Sequence, residues 1–164
     1  MDTRLLYLLS KSPVSTPPVA RVAVTTTQLI STTLTPTWNT TSFSANGTTA
    51  STSGVVVPLQ GYYLVQATAT FSSSTSSTYA APAVGSTGRI DIVANSRVVS
   101  LGSATAQAAA GVYASTVSDL VYAAQGSTIT ASVSAIPGSG AIYLWSAGSG
   151  DTYSSFLSVT YVCS

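Results

Sequence analysis

The chain has 164 residues but only nine formal charges, five Lys or Arg and four Asp, with no Glu and no His. Hydrophobic residues make up 45% and charged residues 5%, against roughly 25% charged in an ordinary soluble domain. A net charge of +1 from scattered cations cannot neutralise a run of phosphates, which excludes a strong nucleic-acid binder, and without His or Glu the commonest general acids, bases and metal ligands are missing, so no enzyme is expected.

The length suits one domain able to bury a core without disulfides or metals. Disorder of the usual kind pairs low hydrophobicity with high net charge, and this chain has neither. No apolar run approaches the 18 to 20 or so residues of a helical membrane span, so no membrane insertion is expected. One cysteine, Cys163, makes no internal disulfide and leaves the redox compartment unread.

In chain order, residues 1–18 stand apart. They carry Asp2, Arg4 and Lys11, the apolar cluster Leu5, Leu6, Tyr7, Leu8 and Leu9, and then Pro13, Pro17 and Pro18. Five apolar residues are too few for a secretory h-region, and no small-x-small cleavage site follows. Proline fixes φ and removes a donor, so this stretch reads as an extended spacer bearing an apolar end, a docking arm for another protein.

Residues 19–164 read as the folded unit. About a third of the whole chain is Ser or Thr, mostly alternating with apolar residues as half-buried strands require. Tyr63, Val65, Ala67, Ala69 and Phe71 hold one parity of the stretch from Gln60, with Gln66, Thr68 and Thr70 on the other. The period returns at Ile90 and Ile92, at Leu120 and Tyr122, at Ile129, Ala131 and Val133, at Ile142 and Leu144, and from Phe156 to Val162. Turn formers separate these runs: Gly61, Gly88, Asn95-Ser96, Gly126, Pro137 to Gly140 and Gly148 to Gly150. Loops are expected over Ser72 to Thr78, Ala80 to Gly88 and Ser103 to Ala110. The whole is an all-β sandwich or barrel.

Several blocks resemble the complement globular-head and tumour necrosis factor superfamily, particularly its versions in bacteriophage structural proteins. They are Thr35 to Phe43, with Trp38; Val57-Pro58 through Gly61-Tyr62-Tyr63-Leu64-Val65-Gln66-Ala67 to Phe71; Gly88-Arg89-Ile90 to Asn95-Ser96; Thr116 to Ile129; and Thr152 to Val159. The Pro then Gly-x-Tyr-x-Val-x-Ala block is the most diagnostic. Ser96, Ser127 and Ser158 stand where the family usually has Gly, Asp and Gly. The resemblance implies a jelly-roll β-sandwich of about ten strands that assembles as a homotrimer and works by binding.

That resemblance leads to a specific expectation: a non-enzymatic structural protein of a tailed bacteriophage virion, displayed on the particle surface as a capsid decoration or head fibre. Its arm, Leu5 to Leu9, would contact other virion proteins. The alternatives are a tail or baseplate protein that recognises host surface glycans and a cellular extracellular lectin or cytokine-like ligand. No cofactor is expected. Asp91, Asp119 and Asp151 are too dispersed for a calcium site; Asp91 is instead expected to pair with Arg89 or Arg97 or to cap a turn.

An outer surface almost without charge suits subunit burial. Tyr62, Tyr143 and Trp145 are the interface candidates, with outward packing beneath neighbouring loops as the alternative. Tyr79, Tyr113 and Tyr153, on or beside the loops, are the ligand-contact candidates.

Overall fold

The computed structural model describes residues 16–75, 79–107, 112–146 and 155–164. These form thirteen strands: β1 Val19–Ala23, β2 Gln28–Ile30, β3 Thr33–Leu34, β4 Thr40–Ala45, β5 Thr49–Ser51, β6 Gly54–Val56, β7 Gly61–Ser72, β8 Thr87–Ala94, β9 Arg97–Thr105, β10 Tyr113–Ala123, β11 Thr128–Ile136, β12 Ile142–Leu144 and β13 Phe156–Cys163. About ten were expected; the excess consists of two- and three-residue pieces, with β3 and β12 beside the ends of β11 and β7, β2 beside β12 and β5 beside β6.

The strands make two antiparallel sheets. One runs β4, β1, β13, β7, β10, with β12 and then β2 continuing beside the far end of β7. The other runs β5, β6, β11, β8, β9, with β3 beside the end of β11. β7 organises the first sheet because its alternation is strict. Tyr63, Val65, Ala67, Ala69 and Phe71 all face inward and are fully buried. They meet Ile90, Ile92 and Ala94 of β8 and Ile129, Ala131 and Val133 of β11 from the opposite sheet in one continuous core.

Polar groups entering that core are satisfied locally. The Tyr63 hydroxyl donates to the Leu59 carbonyl at 2.7 Å, and its ring meets Tyr161 edge-on at 5.3 Å. Trp38 Nε1 donates to Thr130 Oγ1 at 3.3 Å, pinning the segment before β4 to the second sheet. The Ser155 hydroxyl donates to the Trp145 carbonyl and accepts from the Thr70 amide, both at 3.0 Å. The last prolines of the spacer already rest on the sandwich: Pro18 O accepts from the Tyr161 amide at 2.9 Å and Pro17 O from Asn46 Nδ2 at 2.9 Å. Leu5 to Leu9 lie outside the described residues.

Two expectations need correcting. Ser103 to Thr105 belong to β9, not to a loop, because they continue the ladder opposite Thr87 to Arg89. In β10 the inward parity is Val117, Val121 and Ala123, so Leu120 and Tyr122 face outward. Both parities of that strand's end are apolar, and alternation alone did not say which one the core takes.

Candidate assembly surface

The outward face of the β4-β1-β13-β7-β10 sheet is built by the parity that β7 leaves outside. Tyr62 lies opposite Tyr122, with ring centroids 5.4 Å apart in an edge-on arrangement. Beside that pair, Leu64 lies opposite Leu120 on one flank and Thr160 on the other, and Thr160 lies opposite Val19. The next row across the sheet is Ser118, Gln66, Ser158, Arg21 and Phe43. In the row beyond, the Thr68 and Thr116 hydroxyls are 3.0 Å apart and Phe156 flanks Thr68.

This face is therefore a mixture of rings, aliphatics and hydroxyls with one charge among the residues of these rows, Arg21. The Arg21 guanidinium carbon sits 4.0 Å above the centre of the Phe156 ring, a favourable arrangement for a cation on a π-face. Its Nε is buried and has no hydrogen-bond partner among the described residues. Leu64 is 50% exposed in the middle of this face. Grouped exposed apolar side chains are a feature of interaction surfaces in general.

A second apolar surface lies at the margin of the other sheet. Among the described residues β9 pairs only with β8, so it is the edge strand of its sheet. Edges are usually guarded by lysines, prolines or bulges. β9 does carry a bulge opposite Ile92 and Val93, yet Val98, Val99 and Leu101 are all exposed on it, Leu101 by 56%.

The candidate residues fall in different places. Tyr62 is on the outward face. Tyr143 is half-buried on β12 beside Ser72, at the other end of β7 from Tyr62, about 33 Å away at some 3.3 Å per residue, so the two belong to separate regions. Trp145 is a correction. It is 2% exposed within a single chain, with its ring meeting Tyr79 edge-on at 5.2 Å, so its indole has no face left for a neighbour.

Tyr113 is likewise corrected as a ligand contact. It is 7% exposed within β10, its ring packs on Phe71 at 5.2 Å, and its hydroxyl is held against the Ala104 and Ser86 carbonyls. Tyr79 is half-buried, and its hydroxyl accepts from the Tyr113 amide at 2.8 Å. Burial raises the pKa of both phenols above the ordinary value, more than their hydrogen bonds lower it. These tyrosines brace one end of the sandwich. Tyr153 lies outside the described residues.

Asp91 pairs with Arg89, whose Nε donates to Asp91 Oδ1 at 2.6 Å and whose pKa rises further because of that bond. Asp119 Oδ1 accepts the Leu120 amide at 2.8 Å. Among the described residues no three His, Cys, Asp or Glu come together as metal ligands. Asp151 lies outside them.

Leu64, Leu120, Tyr122 and the β9 margin were not foreseen. The signal for the first was present: Tyr62-Tyr63-Leu64-Val65 is apolar on both parities, the pattern of a strand covered on both faces.

No protein-family profile matches the sequence, and no curated protein matches it. Its fold does match solved structures. A crystal structure of murine APRIL at pH 5.0 superimposes with a TM-score of 0.58 at 14% identity, covering 89% of this chain and 99% of that one. Murine APRIL at pH 8.0 gives 0.56 at 16% identity with the same coverage. The globular domain of zebrafish complement 1qA protein gives 0.54 at 12% identity over 90% of this chain and 98% of that one. At such identities the likeness establishes architecture, and the chain has the jelly-roll fold of these two domains, as its sequence motifs implied.

Proposed function

We propose that the chain is a non-enzymatic structural module of a tailed bacteriophage virion, a homotrimeric capsid decoration or head fibre anchored by its amino-terminal arm. The observation that carries the assembly part is the apolar outward face around Tyr62, Leu64, Leu120 and Tyr122. A monomer with 5% charged residues and this face in water would be poorly soluble. The face and the β9 margin are different surfaces, so copies meeting through them make a heterologous contact, which gives a ring where the rotation closes. The resemblance implies a ring of three. The virion part rests on the phage versions of the resemblance and on an apolar cluster carried by a proline spacer.

Light scattering on the purified full chain at micromolar concentration is expected to give about 50 kDa, three times 16.5 kDa. Leu64→Lys combined with Leu120→Lys is expected to give a folded monomer, because both side chains leave the core untouched and each would bury an unpaired charge against the neighbour. A stable wild-type monomer would overturn the trimer. Deleting residues 1–18 is expected to leave the trimer intact and abolish incorporation into particles; unchanged incorporation would remove the arm as anchor.

A further inference from the structure

The outward face of the second sheet carries a shallow cavity of about 280 Å³ where β8, β9 and β11 run side by side, one row along from Leu101 of the β9 margin. Arg89 lines it. Its direct cross-strand neighbours are Ser103 of β9 and Ser134 of β11, and one step along the same face Thr87 lies opposite Ile136. Ile136 is 71% exposed and gives the cavity an aliphatic wall.

Arg89 is buttressed. Asp91 takes its Nε edge, and the Asp91 side chain is only 12% exposed while that of Arg89 is 46% exposed. The pair holds the guanidinium by its Nε edge, and the terminal nitrogens have donors left for a ligand. That remaining fork of donors matches the two oxygens of a carboxylate. Serine hydroxyls on either side donate or accept as needed, which suits a ligand carrying hydroxyls of its own. The volume falls below the roughly 300–1,000 Å³ of pockets for drug-sized ligands, so it holds a single ring.

We infer that this cavity binds one acidic sugar residue, its carboxylate on the Arg89 fork, its ring hydroxyls on Ser103 and Ser134, and its C–H face on Ile136. The site is built from one chain's second sheet, beside the β9 margin, and does not depend on where the module sits on a particle. Because Asp91 already cancels the charge of Arg89, no long-range field gathers anions, and affinity rests on short-range contacts. Binding of a monosaccharide is therefore expected with a dissociation constant of about 1 mM.

Titration of the full-length protein with sodium glucuronate, glucose and sodium acetate, followed by amide chemical shifts, tests this. Glucuronate is expected to saturate, shifting resonances of β8, β9 and β11, with glucose and acetate each binding at least about tenfold more weakly because each lacks one half of the recognition. Arg89→Gln is expected to weaken glucuronate at least about tenfold. Since that change also strips Asp91 of its partner, Ser103→Asp serves as a second variant: the position is exposed, and the new carboxylate competes for Arg89. Equal binding of glucose or of acetate, no saturation with glucuronate up to about 50 mM, or unchanged binding in a folded Ser103→Asp variant would each overturn the assignment.

Discussion

Gly61 opens β7 at a φ of +152°, and a Cβ built there would meet the Cys163 carbonyl oxygen at 2.4 Å and the Tyr161 ring at 2.9 Å. The first of these is backbone of β13 and cannot swing aside. Gly61→Ala is thus expected to cost about 1–3 kcal/mol of stability through strain and overpacking, read as a lowered urea midpoint. Loss of only a few tenths would mean that the start of β7 adapts freely. The adjacent tyrosines show how finely one residue of phase matters: Tyr63 is a fully buried core residue with its hydroxyl on Leu59, whereas Tyr62 faces outward beside Tyr122.

The β8-β9 hairpin joins Ala94 to Arg97 through two residues, Asn95 at φ 51° and Ser96 at φ 62°. Positive φ at both central positions defines the turn whose twist suits a hairpin, and it favours Asn followed by Gly. Asn95 tolerates this region and also donates from Nδ2 to the Tyr122 carbonyl at 3.2 Å. Ser96 pays the left-handed cost of about 1–2 kcal/mol, partly offset by the greater freedom that Gly brings to the unfolded chain. Ser96→Gly is expected to stabilise by about 0.5–1 kcal/mol, raising Tm by about 1–4 °C in calorimetry; an unchanged or lowered Tm would contradict that account of the turn.

For the whole molecule, the scarcity of charge fixes how stability responds to pH. Tyr63, Tyr79 and Tyr113 all have pKa values raised by burial, opposed by their backbone hydrogen bonds. A phenol whose folded pKa lies above its unfolded value contributes stability that is complete below about pH 10 and is lost as pH rises through the folded pKa. With no His to titrate near neutrality, the main loss is expected on the alkaline side. Tm should fall steeply above about pH 10, with tyrosinate absorbance from the buried phenols appearing only together with unfolding. Early, reversible ionisation of all tyrosines in the folded protein would refute this.

The sequence by itself determined the sandwich, because period-two alternation such as Tyr63 to Phe71 and Ile129 to Val133 leaves one buried face per strand, and turn formers such as Asn95-Ser96 fix where strands end. It also showed that Asp91 had Arg89 within reach and that the folded surface would be nearly uncharged. Tertiary structure decided the rest. Trp145 and Tyr113 became core only when Tyr79, Phe71 and the Ala104 and Ser86 carbonyls closed over them, contacts between segments far apart in the chain. The surface around Leu64 and the cavity around Arg89 exist only through cross-strand register, which sets Leu120 against Leu64 and two serines against one arginine. Alternation says which residues share a face, but pairing across strands says which of them meet, and binding depends on the residues that meet.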